Sequence, residues 1–588
     1  MFNFIGSHLF AHFFLAYRRV GVAADRAEHV PHIGAHQIGR GQAGADLVIP
    51  ADAGLRPGMA LHRGAQIPLE RADLIAFDPQ PERVHHADQF FGLGIARTGG
   101  GAQFGHGFGE TSRLHQIAGA FKFGPGRSGQ QNDQQETGQA ATGVRHRFHA
   151  FLLAPALALA LAAPAAASAN LPAPLTLDDF IQFDDAKADL GQLLFYDKIL
   201  SGNQNIACGT CHHPDLGSSD GLSLGIGEGG EGLGLKRTPG SGSAQIKKRI
   251  PRNAPALWNL AHKDLASMFH DGRLSISDLY GNGFNSPAQE FLPQGLETLI
   301  AAQAMFPITA EHEMAGSPGE NEIAGAVNDR IDKAWPIIAK RVRSIPEYGQ
   351  MFVAAFDHID RPEDVTIADI GNAIAAFIGT EFRSIDSPFD AYLRGELQAL
   401  DDHQMRGMEL FFGEAGCSGC HAGPLLTDQD FHALALPPMG PGRTRAFDPM
   451  PRDVGLMGES DRLEDAYRFR TPALRNVALT GPYGHNGAMP TLQDMVRHHI
   501  NPRASLASWT PQMATLPDVP WLAGTDFIIR DDRFEMQRML ARVDVDIPAL
   551  GNQDIADIVA FLNCLTGKSA RHPPRGVPGT VPSGLPVD

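Results

Sequence analysis

Two short stretches of the chain each contain two cysteines, with a histidine directly after the second cysteine. They are Cys208-Gly-Thr-Cys-His212 and Cys417-Ser-Gly-Cys-His421. This spacing is typical of covalent c-type haem attachment, in which both thiols form thioether bonds and the imidazole binds the iron. A zinc site or a CxxC redox pair would leave the two trailing histidines unexplained. The stretches therefore predict two covalently bound c-type haems, held by Cys208, Cys211, His212, Cys417, Cys420 and His421.

The composition is that of an acidic, globular protein of 588 residues. Hydrophobic residues make up 43% of the chain, which is ordinary for a folded protein, and the net charge of −17 argues against binding to nucleic acid. The same charge suits electron exchange with a basic partner protein. Four of the five cysteines lie in the two stretches, and we expect the fifth, Cys564, to be a small buried residue on the last helix.

The first 143 residues differ in composition from the rest of the chain. They hold ten of the 25 histidines, no cysteine, and no sustained helical or strand periodicity. Residues 144–169 then combine a basic start, an apolar run and Ala167-Ser-Ala169, the pattern of a cleaved signal peptide. We predict that translation starts near Val144, so that 1–143 is not translated, and that the mature protein is periplasmic without stable membrane insertion. The alternative is a genuine disordered extension over 1–143.

Further motifs lie downstream of each CxxCH stretch. The first half contains RNAP at Arg252–Pro255, FHDGR at Phe269–Arg273 and PITAEHEM at Pro307–Met314. The second half contains FRTPALRNVALT at Phe469–Thr480 and GPYGHNG at Gly481–Gly487. In these motifs the chain resembles the bacterial diheme cytochrome c peroxidases and their MauG-type relatives, and the resemblance covers roughly residues 175–568.

The resemblance and the helical patterns together predict a mainly α fold, with two cytochrome c-like helical domains, long loops and one c-type haem in each domain. The predicted N-terminal, peroxidatic domain spans 170–388, and the electron-transfer domain spans 389–588 and includes a Pro/Gly-rich tail. Locally, Thr366 and Asp369 predict a capping box at the start of one helix. Asn552 is expected to cap the last helix.

The resemblance implies the residues that would act on peroxide at the first haem. Glu313 takes the position of the acid–base group, and Gln303 that of a distal hydrogen-bonding partner. The alternative for Glu313 is a solvated surface carboxylate. In many cytochrome c peroxidases a histidine on the loop after the first haem blocks the iron, but no histidine lies between His213 and His262. The first iron is therefore expected to be open, as in MauG-type enzymes.

Two features depart from the family pattern. The tryptophan of the usual FWDGR motif, thought to carry electrons between the haems, is replaced by His270. An insertion near Ser275–Leu296 separates this motif from Gln303. The electron path and the substrate surface cannot therefore be transferred from the family to this chain.

The sixth ligand of the second haem is expected at a position fourteen residues after His485, where the family has methionine in peroxidases and tyrosine in MauG. In this chain that position is His499. A helix starting near Thr491 would place Met495 and His499 on one face, with His498 rotated away. The alternatives to His499 are ligation by Met495 or a surface histidine pair.

The resemblance also implies a calcium ion between the two domains. The matching positions are the side-chain oxygen of Asn253 and the carbonyls of Thr480 and Pro482. Oxygen donors suit this hard cation, and water would complete its shell. The alternative is that Asn253 only caps a turn.

The leading hypothesis is a periplasmic diheme peroxidase that reduces H₂O₂ at the N-terminal haem with electrons relayed through the C-terminal haem. A MauG-like oxidase that modifies a protein or small molecule is the close alternative. A non-catalytic electron-transfer cytochrome is the alternative from another class. The expected partners are H₂O₂ and either a small donor cytochrome or cupredoxin, or a protein substrate. The expected oligomeric state is a monomer or homodimer.

Overall fold

The computed structural model describes residues 171–444, 448 and 450–588, and this part of the chain is mainly helical with few strands. The predicted extension at 1–143 and the predicted signal peptide at 144–169 lie outside the described residues. The helices are α1 (Asp185–Tyr196), α2 (Cys208–Cys211), α3 (Leu299–Ala304), α4 (Glu322–Asp329), α5 (Ala334–Arg343), α6 (Pro346–Ala355), α7 (Ile367–Glu381), α8 (Pro388–Leu393), α9 (Asp402–Phe412), α10 (Met457–Ser460), α11 (Leu492–Ile500), α12 (Pro502–Ser508), α13 (Arg533–Leu540) and α14 (Asn552–Cys564). A single π-helical turn spans Glu311–Ala315.

Five short strands accompany these helices in the described residues. Three of them, β1 (Ser267–Met268), β2 (Leu274–Ile276) and β3 (Phe284–Asn285), form an antiparallel sheet in that order. The other two, β4 (Phe431–His432) and β5 (Phe469–Arg470), form an antiparallel pair. The insertion near Ser275–Leu296 therefore builds most of the three-stranded sheet, with Ile276 and Leu279 well exposed on it.

The first half of the fold is organised around α7, which is buried along nearly its whole length and packs against α1. The predicted capping box starts this helix: the Thr366 N–H donates to Asp369, and the Asp369 N–H donates to the Thr366 hydroxyl oxygen. This prediction is confirmed. The rings of Phe195, Phe377 and Phe382 meet between the two helices, with centroid distances of 5.1–6.2 Å. Buried aromatic pairs of this kind stabilise a fold beyond their buried area.

The second half is organised around the pair α9 and α14. Their contact buries Phe389, Phe411 and Phe561, whose centroids lie 5.2 Å apart in both pairs that include Phe561. Helix α14 begins at Asn552, so Asn552 is its first helical residue and the N-cap is Gly551. The predicted cap was therefore one residue too late, because the Asp554 carboxylate accepts from the Gly551 N–H and fixes the start there. Cys564 is 2% exposed at the end of α14, as predicted.

The Pro/Gly-rich tail, residues 569–588, leaves the second half and packs on the first; we call it the C-terminal strap. Ala570 and Val581 are buried in the hydrophobic core of the first half. Asp588 forms an ion pair with Lys198 at 2.5 Å and accepts a hydrogen bond from the hydroxyl of Thr210, inside the first CxxCH stretch. The two-domain division stays a prediction, and the strap assigned to the second domain packs with residues of the first.

In the described part of the chain, every helix is too short or too polar to cross a lipid bilayer.

Candidate functional site

Both CxxCH stretches face one continuous cavity of about 520 Å³. Its walls are mostly apolar, and its lining includes Phe195, Leu257, Trp258 and Met268 near the first stretch, and Phe411, Leu474, Leu492 and Ile558 near the second. An apolar cavity with a few placed polar groups is the usual form of a cofactor site.

The first stretch is a single helical turn, α2, that ends directly before His212. Its second residue must be small, because a Cβ at Gly209 would lie only 2.4 Å from the ring of Tyr196. The Nδ1 atom of His212 lies 3.0 Å from the Ser218 carbonyl oxygen. A hydrogen bond donated by Nδ1 leaves the Nε2 lone pair free, which is the form that binds a metal. Burial lowers the pKa of His212 and favours this neutral imidazole.

The second stretch has the same local arrangement in a 3₁₀ turn at Cys417–Gly419. Gly416, just before it, has φ +68°, a left-handed conformation that favours glycine. The Nδ1 atom of His421 lies 3.1 Å from the Leu426 carbonyl oxygen, and burial lowers the pKa of His421 to about 4. Both trailing histidines are thus held neutral, with Nε2 available.

The cysteines and the buried polar atoms of the cavity fit covalently attached haem. All four motif cysteines are free thiols at the cavity wall, and burial raises the pKa of Cys208 and Cys211 to about 12. Such thiols are poor metal ligands because the thiolate is the ligand form. The cavity also contains buried side-chain atoms without a hydrogen-bond partner: Asp220 Oδ2, Arg475 Nη2 and His485 Nδ1. The Arg475 nitrogen suits the carboxylate of a haem propionate.

Helix α11 brings His499 over the second stretch. The imidazole centroids of His421 and His499 lie 6.3 Å apart, at an angle of 58°. Two imidazoles that bind one metal ion through Nε2, at the roughly 2 Å seen for metal–imidazole bonds, have centroids roughly 6 Å apart. The His499 Nδ1 lies 2.9 Å from the Met495 carbonyl oxygen, which again leaves Nε2 free. The geometry therefore suits one iron between His421 and His499.

The two neighbours of His499 are placed differently. His498 is fully buried, and its Nδ1 and Nε2 lie 3.0 Å from the Ser505 hydroxyl and 2.8 Å from the Leu434 carbonyl. It is turned away from the cavity, so the two histidines do not form a surface pair. Met495 lines the cavity as His499 does.

The structure brings Glu313 and Gln303 to the cavity that His212 faces. Glu313 lies in the π-helical turn and is half-buried, and Gln303 is half-buried on α3. Burial raises the pKa of Glu313, and the positive charges of Arg273 and Arg443 oppose this increase. A buried carboxyl with a raised pKa can hold and release a proton nearer to neutral pH than an exposed one.

A cluster of buried charges lies beside Glu313 and was not foreseen from the sequence. Asp271 is 1% exposed and pairs with Arg252 at 2.6 Å, Arg273 at 3.0 Å and Arg443 at 3.3 Å. Three guanidinium groups hold the pKa of this carboxyl well below its usual range. Arg252 also binds Asp453 through two contacts of 2.8 Å. The signal in the sequence was the DGR part of FHDGR, but Arg443, the distant partner of Asp271, lies too far along the chain to be paired with it.

His270, the residue in place of the family tryptophan, lines the same cavity. Its Nε2 lies 3.2 Å from the Asn253 carbonyl, and burial with the nearby Arg252 charge lowers its pKa to about 4. Close by, the rings of Phe469 and His485 stack with centroids 3.5 Å apart and an angle of 7°. Neutral and aromatic rings thus fill this part of the cavity wall.

The three positions implied for calcium also line the cavity. The Asn253 amide nitrogen donates to the Leu222 carbonyl at 2.8 Å, so its side-chain oxygen is not used in that contact. In the described residues, one separate group of potential metal ligands comprises Cys420, Asp428 and His432. Cys420 is a predicted haem thioether, so this group does not form an independent metal site.

Comparison with known proteins gives one family. The family model described as di-haem cytochrome c peroxidase matches residues 185–398. The chain is 30% identical over 309 residues to cytochrome c551 peroxidase of Pseudomonas aeruginosa, covering 53% of this chain and 70% of that protein. It is 29% identical over 314 residues to the methylamine utilization protein MauG of Methylorubrum extorquens, covering 53% of this chain and 68% of that protein.

Among solved structures, the chain is similar to a MauG-like protein associated with microbial copper homeostasis, with 26% identity and a TM-score of 0.44. The match covers 69% of this chain and 96% of the other.

Proposed function

The chain belongs to the di-haem cytochrome c peroxidase family, and we propose that it is a periplasmic peroxidase that reduces H₂O₂ at its first haem with electrons relayed through its second. The observation that carries this proposal is the half-buried Glu313, whose pKa is raised and which shares a cavity with His212 and Gln303. The test is consumption of H₂O₂ with a reduced small cytochrome or cupredoxin as electron donor. A chain that only transfers electrons would oxidise the donor without consuming peroxide.

Glu313 moves a proton in the proposed reaction. When bound, the first haem supplies the iron centre at which peroxide binds and is reduced. The ionised Glu313 takes the proton from one peroxide oxygen and returns it to the other as the O–O bond breaks, a transfer worth about 10²–10⁴-fold in rate. Gln303 orients the peroxide by hydrogen bonding, and the buried Arg273 guanidinium favours the ionised form of Glu313.

We assign the second haem to electron relay, because two histidines would hold its iron. His421 and His499 would hold that iron, because their Nδ1 atoms bind backbone carbonyls and leave both Nε2 atoms free. Bis-imidazole ligation excludes peroxide and gives a lower potential than Met/His ligation, since a methionine ligand raises it.

Replacing His499 by alanine will change the ligation of the second haem. We expect the near-infrared magnetic circular dichroism band of a bis-histidine low-spin haem to be lost in His499→Ala, because His499 supplies one of the two imidazoles. The matched control is Met495→Leu, one turn earlier on the same helix, which should leave that band unchanged. Two results would instead identify Met495 as the ligand. One is a His/Met band in the unmodified protein, and the other is the loss of the low-spin band in Met495→Leu.

The oxidised protein, as isolated, will already contain a high-spin haem. The loop after the first CxxCH stretch offers no histidine to the cavity, because none lies between His213 and His262 and neither of these two lines the cavity. The measurement is the electron paramagnetic resonance spectrum of the ferric protein. Two low-spin signals with no high-spin component would mean that another side chain fills this position.

MauG-like oxidation is the second candidate function, and the His421–His499 geometry favours it. A bis-histidine haem accepts electrons from ordinary c-type donors less readily than a His/Met haem, because its potential is lower. The oxidising equivalents from H₂O₂ would then oxidise a protein or small molecule. A modified product after H₂O₂ addition without donor would identify this activity.

We also propose a calcium ion held by Asn253, Thr480 and Pro482. Its support is the placement of these residues on the wall of the common cavity, together with the hard oxygen donors that they offer.

A further inference from the structure

A buried tyrosine in the second half donates its hydroxyl proton to a buried carboxylate. Tyr467 is 5% exposed, and its hydroxyl lies 2.5 Å from Glu535 Oε1. Glu535 is 1% exposed, and its Oε2 accepts from Arg452 at 3.0 Å and from Arg538 at 2.7 Å. Hydrogen bonds to an ionised acceptor are short and strong, so this pair is fixed in one geometry.

The pair stands at the wall of the haem cavity. Both Tyr467 and Glu535 line it, together with the second CxxCH stretch and His499. Tyr467 has φ +63°, a left-handed conformation that is rare for a large residue. Two residues further along the chain, Phe469 stacks on His485 in the same wall. Tyr467 thus combines an aromatic ring at the cavity with a proton acceptor behind it.

We propose that Tyr467 is a redox-active residue that supplies an electron to the oxidised haem centre, and this inference rests on the proposed reduction of H₂O₂. In that step the phenol O–H bond breaks. The electron passes into the cavity and reduces the centre that H₂O₂ has oxidised, and the proton moves to Glu535 Oε1. A neutral tyrosyl radical and a protonated Glu535 remain. One electron from the external donor, together with the proton returned from Glu535 Oε1, restores both groups.

Glu535 is necessary because the phenol of Tyr467 is buried. A phenol that lost an electron but kept its proton would be a buried cation, and an unpaired buried charge is very costly. Transfer of the proton over 2.5 Å to the carboxylate avoids this cost. Protonation of Glu535 removes the counter-ion of Arg538, whose side chain is 59% exposed and so is solvated by water.

The chain contains a matched control in its first half. Tyr348 is fully buried and donates its hydroxyl to the Asp197 carboxylate at 2.7 Å, so it repeats the tyrosine–carboxylate pair. It does not line the haem cavity. Comparison of the two tyrosines therefore separates the effect of the hydrogen bond from the effect of position beside the haems.

The experiment is freeze-quench electron paramagnetic resonance of the haem-loaded protein after one equivalent of H₂O₂, without donor. The unmodified protein should give a tyrosyl signal whose hyperfine pattern changes with ring-deuterated tyrosine. That signal should be lost in Tyr467→Phe, fall at least tenfold in Glu535→Gln, and persist in Tyr348→Phe. Glu535→Gln keeps the shape and a hydrogen-bond acceptor but cannot hold the proton.

The same samples are assayed for peroxide consumption with donor, so the two proposals fail separately. Peroxide consumption by the unmodified protein without a tyrosyl signal, or an unchanged signal in Tyr467→Phe, would overturn the role of Tyr467 and leave the peroxidase proposal standing. No peroxide consumption by the unmodified protein would overturn both. If Tyr467→Phe does not fold, as judged by its haem spectrum, the deuterium effect and Glu535→Gln decide the outcome.

Discussion

Replacing both Cys208 and Cys211 by alanine will leave one covalent haem per chain and abolish peroxide reduction. The two thiols are the attachment points of the first haem, and Glu313 and Gln303 face the cavity on that side. Without the thioether bonds this haem is lost, and the Glu313 carboxyl no longer has a haem iron in its cavity. Covalent haem is measured by its resistance to acid–acetone extraction and by intact mass, and turnover by peroxide consumption.

Cys564→Ala is the matched control for the double substitution. Cys564 is buried at the end of α14, outside the cavity lining, so its loss should leave two covalent haems and normal turnover. Peroxide reduction that survives the loss of Cys208 and Cys211 would mean that the second haem is the catalytic one. The assignment of the two halves would then be reversed.

The second large effect is expected from Glu313→Gln, which keeps the shape of the side chain but removes its titrating proton. We expect turnover to fall by at least about 100-fold, in line with the contribution of general acid–base groups, while both haems stay bound. Steady-state kinetics with H₂O₂ give the change. Glu311→Gln is the control, because Glu311 lies in the same π-helical turn but is exposed.

The same substitution should alter the pH profile. Burial raises the pKa of Glu313, so the ionised form that accepts a proton is lost on acidification at a higher pH than for an ordinary glutamate. The acid limb of kcat/KM in the unmodified protein should therefore lie above the usual glutamate range and be absent in Glu313→Gln. An unchanged acid limb in the variant would mean that Glu313 is not the group that titrates there.

Short-range patterns were the part of this molecule that the sequence could predict. The two CxxCH stretches and the Thr366 capping box are each encoded within a few residues, and the structure folds each as a local turn. The position of His499 was implied by the family resemblance, fourteen residues after His485, and the structure places its ring 6.3 Å from that of His421.

Long-range pairings could not be predicted, because the residues around a side chain do not indicate which distant residue it contacts. Tyr467 and Glu535 lie 68 residues apart, and Arg252 and Asp453 lie 201 apart. The sequence also gave no sign that both haem motifs share one cavity, since each was interpreted within its own predicted domain. The cap of α14 was missed by one residue because Gly551 has no side chain to indicate its role.

The C-terminal strap has a consequence for the order in which the molecule is completed. Its contacts with Lys198 and Thr210 join residues that are 390 and 378 positions apart. Contacts between such distant residues form late in folding, because the ends of a long loop must first be brought together. The strap also follows every other described residue in synthesis. Thr210, between the two thiols of the first motif, therefore gains its hydrogen bond to Asp588 late in folding.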